Sequence, residues 1–202
     1  MARSSRAEGF TLVELLVSLA IVGVITGAVM ANFHGGQISS EVRLASDVTV
    51  SQLRAVQTSS LSGRLASVCS GGTNDLAVCE TAGVTCPGGG TCAKRVPTGY
   101  GLHFNAGNAT TYTLFYDTNG DQRYQAVEKL QDVPFVSSGN VQLTTANVGL
   151  PFDLTYKPPY GATYLNGSAG GASVVTLTLT HRNGTLSRHV NLYRLSGKIE
   201  HD

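Results

Sequence analysis

The apolar positions of this chain are concentrated at its start. From Phe10 to Ala31 there are 22 residues whose only charge is Glu14. As a helix such a run spans about 33 Å, against an apolar bilayer core of about 30 Å. Arg3 and Arg6 precede it, on the side that the positive-inside rule keeps in the cytoplasm. The pattern predicts one spanning helix with the remainder exported. A cleaved secretory signal would have an apolar region of about 7–15 residues and a small-x-small site, which Ala28-Val29-Met30-Ala31 imitates poorly. Glu14 argues against it too. A carboxylate within an apolar run costs up to about 2.5–3.5 kcal/mol at the bilayer centre, so its presence points to a partner.

Beyond the Gly35-Gly36 pair, which predicts a local bend, Ile38, Val42, Ala45, Val48 and Leu53 recur at helical spacing with Glu41, Arg43 and Asp47 between them. This extends the helix from Phe10 to about Thr58, roughly 74 Å, with an end between Ser59 and Gly63. After Leu65 the period changes to that of strands. Tyr100–Phe104 and Thr111–Tyr116 form one candidate pair. Val175, Leu177 and Leu179 alternate with threonines up to Asn183-Gly184, a strong hairpin signal, and a return strand runs from about Leu186 to Leu195. Ser196-Gly197 then turns into Lys198-Ile199, and Gly161–Gly171 reads as a glycine-rich loop. The fold class is α+β: one long N-terminal helix on an antiparallel sheet.

At 202 residues and 21.1 kDa there is room for one ordinary domain after the helix. Charged residues make up 13%, about half the usual share, which excludes a charged tail or a coiled coil. The net charge of +1 supplies no global field toward nucleic acid. Cys69, Cys79, Cys86 and Cys92 lack the tight pair a zinc site needs. In an exported domain they predict two disulfides, with three connectivities open.

Glu8-Gly9-Phe10-Thr11-Leu12-Val13-Glu14-Leu15-Leu16 and the apolar helix after it resemble the processing motif of type IV prepilins and type II secretion pseudopilins. The resemblance implies cleavage between Gly9 and Phe10 by a prepilin peptidase that also N-methylates Phe10. It further implies a role for Glu14 in pairing with a neighbouring subunit's amino terminus. Other pilin or pseudopilin subunits and an inner-membrane assembly platform are the implied partners. The helix would sit in the bacterial inner membrane, with the globular domain outside the cytoplasm. The chain then divides into a leader (1–9), a transmembrane and filament-core helix (10–33), its amphipathic continuation (34–60) and a β-rich domain (61–202). Leu114–Asp121 with Glu128, and Arg188–Tyr193 with Ser196–Ile199, are similar to the GspH/FimT type of minor pseudopilins. That type implies a structural role in a type IV pilus or type II secretion pseudopilus. FimT-like DNA capture in natural transformation is the alternative.

Two further constellations are candidates for binding. Asp117, Asn119, Asp121, Arg123, Gln125 and Glu128 hold positions one, three, five, seven, nine and twelve of a calcium-loop spacing. Position six has Gln122 where such loops place glycine, and a plain polar hairpin loop is the competing reading. Calcium is the one cofactor considered. For DNA, Arg182, Arg188, Arg194 and Lys198 could contact phosphates. DNA-capturing relatives are expected to end in glycine-arginine-x-arginine, whereas Gly197-Lys198-Ile199-Glu200 places an acid at the second cation. No histidine falls in a hydrolase, metalloprotease or P-loop context, so no enzyme is expected; His103 reads as solvent-facing.

Overall fold

The computed structural model describes residues 11–73, 75–79, 85–86 and 88–202, with the side chains of 31–35 excepted. One helix, α1 (Leu12–Ser62), carries the whole helical pattern and runs through the Gly35-Gly36 pair. Its start is a reciprocal capping box. Thr11 Oγ1 accepts from Glu14 N at 3.3 Å, and Glu14 Oε2 accepts from Thr11 N at 3.2 Å. Its end is a Schellman turn, with Arg64 N donating to Ser59 O (3.1 Å) and Gly63 N to Ser60 O (3.4 Å). Gly63 takes a φ of 61°, which a side chain would resist.

The chain divides into two compact units, 1–40 and 41–202. In the first, the stretch Leu12–Met30 is apolar and long enough to cross a membrane, and none of it is buried. The second contains the rest of α1 and, among the described residues, twelve strands. The strands are β1 (Ala66–Ser70), β2 (Thr85–Cys86), β3 (Gly90–Arg95), β4 (Gly99–Phe104), β5 (Thr111–Asp117), β6 (Lys129–Pro134), β7 (Val141–Ala146), β8 (Phe152–Lys157), β9 (Ala162–Leu165), β10 (Val174–His181), β11 (Ser187–Tyr193) and β12 (Lys198–His201). They form three antiparallel sheets rather than one, ordered β1-β3-β2, β12-β11-β10-β7 and β6-β5-β4-β8-β9.

Both predicted hairpins are present. Tyr100 lies opposite Tyr116 in the first, and Leu177 opposite Val190 in the second. Their alternation decides the core: Val175, Leu177 and Leu179 are buried on the inner face, with Leu102, Phe104, Tyr112 and Leu154 from the five-stranded sheet. Helix α1 adds Val42, Ala45, Val50 and Leu53 to the same cluster. Val50 is buried and Val48 only half-buried, because Val50 continues the row of buried Val42, Ser46, Thr49 and Leu53. The expected glycine-rich loop contains a strand instead: β9 pairs with β8, Thr155 facing Tyr164.

The small sheet has almost no apolar interior. Its buried cluster is Cys69, Ala77, Cys86 and Cys92. Disulfides join Cys69 to Cys86 and Cys79 to Cys92, an interleaved pairing. Cross-links closing loops of this size contribute about 2–4 kcal/mol each, in place of a core.

Candidate functional site

The residues that would serve assembly lie on the first unit. Gly9 and Phe10 are outside the described residues. Glu14 is described, and within the chain its carboxylate also meets Thr11 Oγ1 at 3.2 Å. The sequence reading had missed this local role, although the T-x-x-E spacing of Thr11 and Glu14 announces it. Leu12, Leu16, Val24 and Met30 are all more than half exposed. At Gly23 and Gly27 an added Cβ would meet nothing within 4 Å. A glycine inside a helix costs about 0.5–1 kcal/mol relative to alanine, and no packing within the described chain uses either one.

The four DNA-candidate cations do not share a face. Along β11 the inner face carries Arg188, Val190 and Leu192, and Arg194 continues that register past the strand end. Arg194 is 9% exposed, and its two terminal nitrogens donate to the carbonyls of Thr163, Ser168, Ala169, Gly170 and Ala172. Arg188 Nη1 donates to the carbonyl of Asp202. Lys198 lies on the outer face and pairs with Glu200 at 2.5 Å. Arg182 is exposed in the hairpin turn. The pleat separates these side chains, and Arg194 is committed to holding the segment beside β9.

The loop from Asp117 to Glu128 is not a simple polar hairpin tip. It folds back over the outer face of the five-stranded sheet. Tyr124 stacks on His103 with ring centroids 4.4 Å apart and meets the Phe115 ring edge-on at 5.5 Å. The Tyr124 amide donates to Asp153 Oδ2 at 3.1 Å, and Thr155 Oγ1 donates to the Gln122 carbonyl at 3.1 Å. His103 is therefore not solvent-facing: the returning loop covers it, and its Nδ1 lies 2.6 Å from Asp153 Oδ1.

This covering buries two carboxylates of the calcium spacing. Asp117 is fully buried and accepts from Gly120 N (2.7 Å) and Gln122 N (3.3 Å). Glu128, 1% exposed, accepts through Oε1 from Thr118 N (2.8 Å), Thr118 Oγ1 (3.0 Å) and Asn119 N (3.4 Å). Burial pushes the carboxyl of each above the usual range, against the pull of these hydrogen bonds; the charge of Asp121 raises Asp117 further, and that of Asp117 raises Glu128. Asn119 and Asp121 remain exposed. Asp121 accepts from Arg123 N and from Gln125 Nε2, both at 2.8 Å. Among the described residues the only three His, Cys, Asp or Glu ligand atoms within 4.8 Å of one another belong to Cys69, Cys79 and Cys86, which the disulfides consume. Sequence spacing found the loop, but not Thr118 and Thr155, which hold it.

Residues 4–30 match the family described as the prokaryotic N-terminal methylation motif. The match includes Gly9, Phe10 and the apolar stretch, and with the α+β arrangement it supports a type IV pilin-like kinship. No curated protein and no solved structure matches the chain.

Proposed function

We propose that this chain is a structural minor pilin or pseudopilin. In this reading a prepilin peptidase cuts it between Gly9 and Phe10 and methylates Phe10. The protein is held in the inner membrane by α1, with its β-rich domain outside the cytoplasm, and packs laterally into a type IV pilus or a type II secretion pseudopilus. It performs no catalysis. The observation that carries this reading is the helix segment Leu12–Met30. It is wholly unburied and contains glycines that serve nothing within the chain, directly after a matched methylation motif. Small residues at four-residue spacing let neighbouring helices approach closely. The GspH/FimT subtype is supported only by the patches around Asp117–Asp121 and Arg188–Ile199. The scattered cations give the DNA-capture alternative no support.

The test is mass spectrometry of sheared filaments and cell envelopes from the native cells, with two variants. Gly9→Val is expected to accumulate as uncleaved precursor, and a normal mature terminus in that variant refutes the processing assignment. Glu14→Gln keeps an acceptor for the Thr11 cap but removes the charge. It is expected to be processed and then poorly incorporated, whereas incorporation at the parent level refutes the intersubunit charge pair.

A further inference from the structure

We propose that the cleft between the end of α1 and β6 docks a neighbouring, non-identical subunit, which inserts an aliphatic side chain flanked by carboxylates. The partner's identity rests on the reading of this chain as an assembling subunit. Its chemistry rests on the cleft.

Two openings adjoin there. The inner one, of about 90 Å³, lies between α1 and strands β4 to β6, with Ala55, Val56, Tyr100 and Leu114 among its walls. The outer one, of about 350 Å³, is lined by Ser67, Val78 and Lys129. Arg64, Tyr116 and Leu130 line both, so an apolar hole opens through a cationic mouth. The walls are held from within. Arg64 N donates to Ser59 O at 3.1 Å, the Arg64 carbonyl accepts from the Tyr100 hydroxyl, and the Tyr100 and Tyr116 rings meet edge-on at 5.6 Å. A site fixed in this way has little ordering left to lose when a partner arrives.

The volume selects the inserted side chain. At about 90 Å³ the inner opening is smaller than the apolar cavity of about 150 Å³ that admits benzene, and it suits one aliphatic side chain. The rim is apolar as well: Leu65, Val127 and Leu130 are 56, 47 and 43% exposed. Val127 belongs to it because its carbonyl accepts from the amide of Val78, a wall residue, at 2.9 Å. Single exposed apolar side chains are ordinary, but several around one cleft mark a contact surface.

Charge selects what flanks that side chain. Among the described residues no aspartate or glutamate lines either opening. Lys94 and Arg95 of β3 lie opposite Ser67 and Ala66, both wall residues of the outer opening. Among the described residues Arg64, Lys94 and Arg95 form no ion pair, and Lys129 pairs only with Asp132. Carboxylates on a partner complement this cluster. A second copy of the chain is poorly equipped to supply them. Every described acidic side chain of residues 41–202 is already paired with a lysine or histidine, or accepts from a backbone amide of its own chain. The partner is therefore a different chain.

The experiment uses the full chain in maltoside micelles and a fluorescein-labelled peptide, Gly-Ser-Leu-Asp-Glu-Ser-Gly, read by anisotropy. Saturable binding is expected with a Kd below about 1 mM, weakening as salt rises from about 0.05 to 0.5 M. Peptides with Lys-Lys in place of Asp-Glu, or glycine in place of leucine, should bind at least about tenfold more weakly. Ala55→Leu fills the inner opening and Arg64→Glu reverses the mouth, and each should cost about tenfold or more with an unchanged near-UV circular dichroism spectrum. Arg182→Glu, the same charge change in the β10–β11 turn, should stay within about twofold of the parent. No saturation by about 1 mM, equal binding of the three peptides, or equal losses in Arg64→Glu and Arg182→Glu overturns the cleft. A parent dimer abolished by Ala55→Leu overturns the choice of a different chain. In the native cells Ala55→Leu should be processed normally and depleted from filaments by about tenfold, and incorporation at the parent level overturns the neighbouring subunit as occupant. Absence of the parent itself from filaments overturns the assembly reading instead, and the peptide series then decides the cleft by itself.

Discussion

Replacing Arg194 by alanine asks whether one guanidinium, rather than the glycine-rich sequence itself, holds the segment from Ala162 to Ser173. Its Nη1 donates to Gly170 and Ala172 (2.7 and 3.0 Å), and its Nη2 to Thr163, Ser168 and Ala169 (3.1, 3.3 and 2.8 Å). A hydrogen bond from a charged donor contributes about 1.5–3 kcal/mol. Five of them counted singly would rival the entire stability of a domain, about 5–15 kcal/mol. Two effects reduce the figure. The two terminal nitrogens have four hydrogens for five acceptors, so the contacts are shared. Ser168, Ala169 and Gly170 are also exposed, and water replaces the arginine at their carbonyls. The uncompensated loss is at Thr163 and Ala172, which are half-buried, together with the packing of the stem. That leaves about 3–4 kcal/mol. For a chain of this size the Tm should fall by about 6–16 °C. The assay is thermal unfolding of the full chain in detergent by near-UV circular dichroism, paired with limited proteolysis across the segment. Arg194→Lys keeps the charge but not the fork, and should recover less than half of the loss. A Tm within about 2 °C of the parent for Arg194→Ala, or full recovery by lysine, refutes the reasoning.

Tyr156 is fully buried, its hydroxyl has no partner, and burial pushes its phenol well above the ordinary pKa. Tyr156→Phe should therefore be neutral or stabilising by up to about 1 kcal/mol in a denaturant melt, and a clear loss of stability would show that the hydroxyl is bonded after all. Asp117 and Glu128 both have carboxyl groups raised by burial in the folded state. The unfolded chain ionises first as pH rises, so stability falls from the ordinary carboxylate range, about pH 4, up through the folded values. In chelator, Glu128→Gln should gain on the parent in Tm as pH is raised from acid to neutral; a constant difference contradicts the shift.

The helix and the two named hairpins were legible because each rests on a local period. Val175, Leu177 and Leu179 alternate over a single strand, and Asn183-Gly184 closes it. What could not be read depends on residues far apart in the chain. Strand β9 exists because β8 offers it an edge, and nothing within Ala162–Leu165 announces a strand over a loop. His103 looks solvent-facing from its alternation with Leu102 and Phe104, and that alternation is real. The Asp117–Glu128 loop covers it from the other side, through Tyr124 and Asp153. Arg194 misled in the same way: its charge suggested a surface, but the register of β11 turns it inward, where only backbone carbonyls meet it. The interleaved disulfides were undetermined because all three pairings fit the spacings. The register that places Cys69 opposite Cys92 exists only after β1 and β3 have paired.

The glycines show which parts of the sequence answer to the chain itself and which answer to something outside it. At Gly101 an added Cβ would strike the ring of Phe115, and at Gly99 it would come within 2.6 Å of Thr155. Both glycines let the outer face of the central strands take the aromatic and the returning loop, so the globular fold accounts for them. At Gly90 the obstruction is the backbone of Gly71, again an internal reason. Gly23 and Gly27 differ. They stand in a helix where alanine would be favoured by about 0.5–1 kcal/mol apiece, and a Cβ there meets nothing. A membrane alone does not need them, since a single span only has to be apolar. The need that remains is close approach by a second helix, and the apolar stretch Leu12–Met30 has every side chain free to receive one. Glu14 fits the same division. Its capping box with Thr11 uses Oε2 and would be served equally well by glutamine, so the charge itself has no employment within the described chain. Residues without an internal reason collect on the unburied helix, and that is where the reading of this protein as an assembling subunit gets its weight.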